Sequence, residues 1–389
     1  MHSFFLIICK GIMQNLFLGF CFLSMTVTAQ DIDSIFNKTK LDVGGALRFN
    51  YNFSSWKSNQ VKRGGDFGFE VFRINVDAVH KRWEIHLDQR FYAQDFGGAF
   101  LKYGWFQYNL NKKSHLKVGL IPSYFGAQQF NSHSWFFNLP FYLGFEDDHD
   151  MGISYDIDAK CYSLDIAYYK NSETLTFSDN GPISDSRYNY DFSGSNKEIN
   201  QLTGRFNYKI NNDSKKLIGT TIQYGGIWNI DTQNIGTQFA FGIHSDLTFG
   251  NLNLKTQYLN YNNKPENAIG QSRDLIEMTA YGFPYNTAAK ASIYSFSLAY
   301  TFILKKSFIN SIQIYNNYSY MDKAVSSWED TQMNVLGALI SANPMYIYVD
   351  MGMGKHQPWL GPQWTDALTT GDPTNGWEYR FNINFGYYY

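Results

Sequence analysis

The end of the chain, Gly376–Tyr389, alternates between two kinds of side chain. One row is entirely aromatic or aliphatic: Trp377, Tyr379, Phe381, Ile383, Phe385, Tyr387 and Tyr389. The other row is mostly polar or small: Glu378, Arg380, Asn382, Asn384, Gly386 and Tyr388. Because side chains of a β-strand point to opposite faces with a period of two, the pattern predicts a strand with one apolar and one wet face. Such a strand fits either a soluble two-layer sheet or an outer-membrane barrel whose apolar face contacts lipid.

Earlier segments of the chain repeat this alternation. In Val43–Phe53, apolar residues alternate with polar ones such as Arg48. The segment Phe67–Val79 alternates regularly from Phe72 onward, and its irregular start indicates a β-bulge. The next segment carries five ionisable side chains on one face: Arg82, Glu84, His86, Asp88 and Arg90. Five ionisable groups cannot pack in a dry interior without a large free-energy cost, so this face must contact water.

Sixteen segments qualify as strands. They are Val43–Phe53, Phe67–Val79, Arg82–Phe91, Ala99–Leu110, His115–Leu120, Met151–Asp158, Lys160–Lys170, Glu198–Asn211, Leu217–Ile230, Thr237–Gly250, Asn251–Tyr261, Ala291–Leu304, Ser311–Met321, Gln332–Ser341, Met345–Gly354 and Gly376–Tyr389. The fourth segment has apolar residues on both faces, so its register cannot be assigned from the sequence.

Short and long connections alternate between these segments. Some are only a few residues long, such as Asn211–Ser214, Lys305–Ser307 and Ala342–Pro344. Most of the intervening ones are long: Pro122–Asp150, Asn171–Lys197, Asn262–Lys290 and Lys355–Asn375. Outer-membrane barrels have short periplasmic turns and long extracellular loops, whereas a soluble sandwich has no reason to alternate its loop lengths. The predicted fold class is therefore all-β: a transmembrane antiparallel β-barrel of about 16 strands.

The start of the chain predicts an exported protein. Residues 1–29 contain one basic residue, Lys10, then the apolar run Leu16–Leu23, and small residues suited to cleavage after Ala29. Met13 is an alternative start that would leave out Lys10. We therefore predict a signal peptide over 1–29, a periplasmic lead-in over 30–42 and the barrel over 43–389. Only Cys161 then remains, which excludes a disulfide framework.

The third long connection, Pro122–Asp150, is predicted to fold into the barrel and narrow it. It is long for an ordered loop without function, and it is rich in aromatic residues that water would not favour on an exposed flap. The candidate constriction residues of this loop and the strand start after it are Trp135, Glu146, Asp147, Asp148 and Asp150. The acidic run could hold a hard cation through its carboxylate oxygens, but a solvated loop end is the favoured interpretation, and no metal site is predicted.

One part of the chain resembles a known family. The segment Lys117–Gly126, with the sequence KVGLIPSYFG, is followed by Ser132–Trp135, Gly144–Asp148 and Met151–Ile153. Together these resemble, over about 35 residues, the porin family named for the phosphate-selective porins O and P. The resemblance implies a sixteen-stranded barrel, often trimeric, that passes small solutes, including anions such as phosphate. The arginine ladder and lysine cluster that hold phosphate in the name-giving members cannot be placed here, so phosphate specificity is not inferred.

The predicted register also assigns side chains to the lumen. The pore-lining candidates are Arg48, Arg73, Arg82, Glu84, His86, Asp88, Arg90, Lys117, Arg205, Lys209 and Arg380. Over all strands, nine basic and nine acidic side chains face inward in this register, which gives no support to strong anion selectivity. Bases outnumber acids on the first five strands, whereas strands six and seven carry only Asp156, Asp158 and Asp165. We therefore expect one positive wall and one negative wall.

The resulting functional prediction is a porin in the outer membrane of a Gram-negative bacterium that lets small hydrophilic solutes or ions diffuse. Its expected partners are outer-membrane lipid, these solutes, the barrel-assembly machinery and two further copies in a homotrimer. The net charge of −2 does not favour a nucleic-acid partner, and no cofactor or catalytic residue is predicted. The alternative is a barrel with a surface-binding or lipid-hydrolase role. Ser132-His133-Ser134 is a weak hydrolase signal, because adjacent loop residues seldom meet with the geometry that a nucleophile and its base need.

Overall fold

The computed structural model describes residues 39–127, 130–173, 181, 184–305 and 308–389, which form one closed antiparallel barrel of sixteen strands. In chain order these are β1 (Thr39–Ser54), β2 (Asp66–His80), β3 (Trp83–Tyr92), β4 (Ala99–Asn109), β5 (Ser114–Pro122), β6 (His149–Asp158), β7 (Tyr162–Asn171), β8 (Asn196–Lys209), β9 (Lys216–Asn229), β10 (Asn234–Phe249), β11 (Leu252–Lys264), β12 (Lys290–Ile303), β13 (Ser311–Lys323), β14 (Thr331–Ala342), β15 (Met345–Lys355) and β16 (Glu378–Tyr388). Each strand pairs with its neighbours in sequence, and the predicted fold class is confirmed.

The described residues cover only part of the predicted N-terminal segments. The predicted signal peptide, 1–29, and residues 30–38 of the predicted lead-in lie outside the described residues. β1 begins at Thr39 rather than at the predicted Val43, so the last part of the predicted lead-in belongs to the barrel.

The barrel closes between its first and last strands. β16 pairs with β1 from Ala46 opposite Tyr388 to Ser54 opposite Arg380. Beyond this ladder, the backbone of Tyr389 both donates to and accepts from the backbone of Gly45, at N···O distances of 3.2 and 3.0 Å. Closure leaves the described barrel strands without the unpaired edge that would promote association with other chains.

The outer face of the barrel is apolar and the inner face is polar or small. In β12 the outward row runs from Tyr294 to Phe302, and its side chains are between 38% and 49% exposed. The alternate residues Ser295, Ser297 and Ala299 are buried on the lumen side. Apolar residues outside and polar residues inside are the arrangement of a protein whose solvent is lipid. Among the described residues, no helix is long and apolar enough to cross a membrane.

Two β-bulges change which side chains enter the lumen. In β2, Val71 lies opposite Arg48 and Phe69 lies opposite Phe49, so Glu70 is an extra residue. This bulge confirms the irregularity predicted at the start of the second strand. In β4, Tyr103 lies opposite Asp88 and Leu101 lies opposite Gln89, so Lys102 is an extra residue. Both Lys102 and Tyr103 face the lumen, which explains why no single register fits this strand.

Connections at one end of the barrel are short turns: 81–82, 110–113, 159–161, 210–215, 250–251, 304–310 and 343–344. Connections at the other end are mostly long; they include α1 (Ser58–Lys62), although 230–233 is as short as a turn. Three short strands, Asp191–Phe192, Leu275–Thr279 and Tyr285–Ala288, form a loop sheet there. Buried loop side chains pack together into what we call the aromatic loop core: Phe136, Leu139, Phe141, Tyr142, Tyr188, Tyr190, Phe192, Ile276, Met278, Tyr281, Tyr285, Leu360 and Leu368. The described parts of the four longest loops therefore pack together at this end of the barrel.

Candidate functional site

The connection 123–148, which we call the inward loop, crosses the lumen. It contacts the wall formed by β11–β13 and β15, which is far away in sequence. Lys255 Nζ donates to the Phe130 carbonyl at 2.6 Å, and the Leu139 N–H donates to Ser319 Oγ at 3.2 Å. The Trp135 N–H donates to an Asp350 carboxylate oxygen at 3.1 Å. The predicted inward folding of this loop is therefore confirmed.

The buried side chain of Glu146 joins two parts of the inward loop. One carboxylate oxygen accepts the Asn131 N–H at 2.8 Å and the Ser132 hydroxyl at 3.3 Å. The other oxygen is buried without a hydrogen-bond partner. Burial raises the pKa of Glu146 to about 8, because the charged form loses its hydration. The acidic run was interpreted as a solvated loop end, and this interpretation is wrong: Glu146, Asp148 and Asp150 are all buried.

The raised pKa gives a testable dependence of stability on pH. The pKa of Glu146 in the folded protein lies above its ordinary value of 4.5. Its carboxyl group is therefore most favourable for folding stability below pH 4.5, and stability falls as the pH rises through about 8. We expect Glu146→Gln to lose this dependence and to melt several degrees higher than the wild type at about pH 9. Thermal unfolding followed by circular dichroism from about pH 5 to about pH 9 measures it. Glu266→Gln is the control, since Glu266 pairs with Arg273 near the surface. If the melting temperature of Glu146→Gln depended on pH as that of the wild type does, the expectation would be contradicted.

A cavity of about 810 Å³ lies between the inward loop and the opposite wall, which is formed by β1–β4 and β16. Five basic side chains line it, and we call them the basic wall: Arg48, Arg73, Arg90, Lys102 and Arg380. Trp135 and Asp147 of the inward loop line the other side. Alternation places the arginines there, and the bulge in β4 brings Lys102 into the same row.

Three members of the basic wall share two carboxylates. Arg48 Nη2 lies 2.6 Å from Glu70 Oε1, which the bulge in β2 turns inward. Arg73 and Arg90 both contact the fully buried Asp88, at 3.4 and 3.0 Å. Charge-assisted bonds of this kind hold guanidinium groups in fixed positions along the cavity.

The other two members connect the basic wall to the inward loop. Lys102 Nζ lies 2.6 and 2.7 Å from the two carboxylate oxygens of Asp147, which also accepts the Tyr188 hydroxyl at 2.9 Å. Arg380 lies over the Phe136 ring at 5.6 Å, and its Nε is buried without a hydrogen-bond partner. No ion pair of Arg380 is found in the part of the chain that the structure describes. It is the least compensated cation of the cavity.

The expected negative wall is not present as a row of free charges. The three aspartates predicted for this wall, Asp156, Asp158 and Asp165, are each paired with a base from β5 or β8. Lys117 lies 3.2 Å from Asp156, Arg205 lies 2.6 Å from Asp165, and Lys209 contacts Asp158. The field across the lumen that the sequence predicted is therefore weakened on this side by ion pairing between neighbouring strands.

The remaining pore-lining candidates lie toward the turn end of the barrel. Arg82 belongs to the turn before β3 and donates to the Leu110 carbonyl at 3.0 Å. The His86 ring lies 2.6 Å from Asp77 and 3.2 Å from Glu84. These residues lie outside the 810 Å³ cavity. The predicted set of pore-lining residues therefore combines side chains from two different heights in the lumen.

Three important residues were missed by the sequence analysis: Glu70, Lys102 and Asp191. Lys102 is the only charged residue in Ala99–Asn109, and that isolation was a usable signal for an inward position. Glu70 lies in the part of β2 where the bulge obscures the alternation. Asp191 meets Asp148 and Asp150 only in three dimensions, and nothing in the local sequence indicates it.

Solved structures with the same fold are outer-membrane proteins. The anion-selective porin from Comamonas acidovorans has a TM-score of 0.59 and 11% identity, with 90% of this chain and 100% of that chain covered. The in-vitro folded OmpT of Vibrio cholerae in its trimer form has a TM-score of 0.56 and 15% identity, with 90% and 99% covered. Salmonella typhi OmpF in complex with daunomycin has a TM-score of 0.56 and 10% identity, with 91% and 98% covered.

These similarities extend to the fold and no further. No protein-family model matches the chain, and no curated protein sequence matches it. The resemblance to the phosphate-selective porins O and P is therefore not confirmed. The closed barrel agrees with the solved structures at the level of architecture. The chain is a sixteen-stranded β-barrel with a porin-like fold, located in the outer membrane of a Gram-negative bacterium.

Proposed function

We propose that the protein is a porin through which small hydrophilic solutes diffuse between the inward loop and the basic wall. The observation that carries this proposal is the 810 Å³ cavity, lined by fixed charges and aromatic rings inside the barrel. A lumen that existed only to be filled would favour apolar packing, since each buried charge costs desolvation energy. Charges held in ion pairs along a cavity instead suit the passage of hydrated polar solutes.

The charge arrangement supports a mild preference for anions. Four of the five bases in the basic wall share three carboxylates, and Arg380 has no acidic partner in the described part of the chain. Salt screens these charges within about 10 Å at 0.1 M ionic strength, which limits their influence on a passing ion. The proposed solutes are therefore small anions and neutral or zwitterionic polar molecules, without specificity for phosphate.

Replacing the unpaired arginine tests the selectivity. We expect Arg380→Gln to lower the permeability ratio of anion to cation by about twofold. One unit charge about 10 Å away changes an ion's energy in water by about 0.4 kcal/mol, with opposite signs for an anion and a cation, and salt at about 0.1 M reduces this difference to roughly a third. Reversal potentials across planar bilayers under a KCl gradient measure this ratio. The control is Arg273→Gln, which removes the same charge from an exposed loop and should leave the ratio unchanged. Equal shifts in both variants would place the selectivity outside the lumen.

A non-enzymatic role is part of the proposal. The Ser132 hydroxyl donates to Glu146, and the Ser134 hydroxyl donates to the Phe137 carbonyl at 3.4 Å. The His133 ring instead contacts Asn253 at 2.6 Å. Because these side chains engage separate partners, their arrangement favours a positioning role for the loop over nucleophilic catalysis.

The proposed assembly is a homotrimer, as in the trimer form of the V. cholerae protein that shares this fold. Electrophoresis of the unheated protein and chemical cross-linking test the assembly. Single-channel recording of the purified protein tests the porin function itself. Discrete conductance steps are expected, whereas a correctly folded barrel that conducts no current would overturn the function. The aromatic loop core would then be a plug, which favours the surface-binding alternative.

A further inference from the structure

A second cluster of charges lies where the inward loop joins β6, and one member of it, Asp148, also lines the 810 Å³ cavity. Oxygen atoms of Asp148, Asp150 and Asp191 lie within 4.8 Å of one another, and each residue is no more than 6% exposed. They come from three different elements: the end of the inward loop, the start of β6 and the loop sheet. Like charges this close and this deeply buried repel one another strongly, so the folded chain brings them together against a cost.

The surrounding charges do not balance this cluster. Glu173 and Glu198 add two further carboxylates that interact with Asp191. One base is close: Arg187 Nη1 lies 2.8 Å from Asp191 and 3.5 Å from Glu173. The cluster therefore lacks positive charge.

Buried polar atoms without partners occur in this cluster and around a small cavity beside Asp148. One carboxylate oxygen of each of Asp148, Asp150 and Asp191 is buried with no hydrogen-bond partner. The side-chain carbonyl oxygens of Gln201 and Gln223, residues no more than 6% exposed, also lack partners. Both glutamines line a cavity of about 10 Å³ together with Asp148, and this is the size that holds a single water molecule or ion. Buried acceptors of this kind need a donor or a positive centre nearby.

We propose that this cluster binds one divalent cation of the calcium type. Calcium takes six to eight oxygen ligands from carboxylates and amide carbonyls in flexible geometry, which are the donor types assembled here. Zinc and copper prefer nitrogen or sulfur donors, and magnesium keeps most of its water, which a cavity of this size has no room for. The ion would fasten the inward loop to β6 and to the loop sheet. It would thereby also fix the neighbouring Asp147 against the basic wall.

Terbium and calcium provide the direct test. The full-length mature barrel is refolded in detergent without lipopolysaccharide, treated with a chelator, and titrated with Tb³⁺, whose luminescence nearby tyrosines such as Tyr190 sensitise. Calcium is expected to displace Tb³⁺ and to raise the melting temperature by several degrees. Asp148→Asn and Asp191→Asn should each weaken Tb³⁺ binding by about tenfold or more, because affinity depends on ligand charge. Asp274→Asn, an exposed loop variant, should bind as the wild type does.

The metal-free melting temperatures separate lost binding from misfolding. Because asparagine at position 148 removes repulsion between the carboxylates, Asp148→Asn should melt at or above the wild type in chelator and should gain less from calcium. Asp191→Asn also loses its ion pair with Arg187, so it should melt lower in chelator and should likewise gain less from calcium. Should one variant fail to fold, the other provides the same comparison. The proposal is overturned if calcium leaves the wild-type melting temperature unchanged, or if Tb³⁺ binds the asparagine variants as tightly as the control.

Discussion

Removal of Tyr387–Tyr389 is expected to deplete the barrel almost completely from the outer membrane. Tyr387 and Tyr388 pair with Leu47 and Ala46 of β1, and the Tyr389 backbone completes the closure at Gly45. Without these residues the end of β1 is an open edge whose backbone groups have no partner in lipid, where each unsatisfied group costs several kcal/mol. Immunoblotting of outer-membrane fractions and the electrophoretic shift between unheated and heated samples measure assembly.

A triple substitution of Tyr387, Tyr388 and Tyr389 by Phe is the matched control. It keeps the backbone pairing and the apolar outer row while changing the same three positions, so the variant should assemble. Wild-type amounts of the truncated protein in the outer membrane would contradict the role of this closure. Loss of both variants would show that the tyrosine hydroxyls matter more than the backbone pairing.

Deletion of 132–143 is expected to raise single-channel conductance severalfold. The segment carries Trp135 and Phe136 into the lumen, and it contacts Ser319 and Asp350 on the far wall. Without it the space between the basic wall and β11–β15 would be open to water, and conductance rises with the open cross-section. Recordings in planar bilayers at high salt, where fixed charges are screened, isolate this geometric effect.

Deletion of 269–271 is the control for the loop deletion. These residues are exposed at the tip of the connection between β11 and β12, so their loss should leave conductance unchanged. Assembly of both deletion variants is checked by the electrophoretic shift between unheated and heated samples. An unchanged conductance in a correctly assembled 132–143 deletion would mean that the inward loop does not limit the pore.

The barrel itself could be predicted from the sequence because lipid imposes a strict period of two. The row from Tyr294 to Phe302 lies outside as the alternation requires, and the hairpin between β6 and β7 forms where Asp158-Ala159-Lys160 predicted it. The inward loop was also predictable, since so many aromatic side chains would be unfavourable in water. Alternation, however, reports only the face of a strand and not the partners of its side chains.

The candidate site depends on features that the alternation of apolar and polar residues does not reveal. A bulge changes the facing of Lys102 without changing the composition of β4, and therefore hides one of the five bases of the cavity. The neighbouring sequence alone predicts solvent-exposed side chains for Asp148 and Asp150. In the structure, packing by the loop sheet buries them beside Asp191. The charges on β6 and β7 were correctly assigned to the lumen, but their pairing with bases on β5 and β8 required the register between strands.

The hydrogen bonds of the inward loop also set an order of events during folding. The bond from the Trp135 N–H joins residues 215 positions apart, and the contact between His133 and Asn317 joins residues 184 apart. Contacts between such distant residues form late, because the intervening chain must first be ordered. The strands that form these two contacts, β15 and β13, lie in the last third of the chain, so the constriction can be completed only when they are in place. A nascent barrel therefore passes through a wider, unconstricted stage before it acquires its mature permeability.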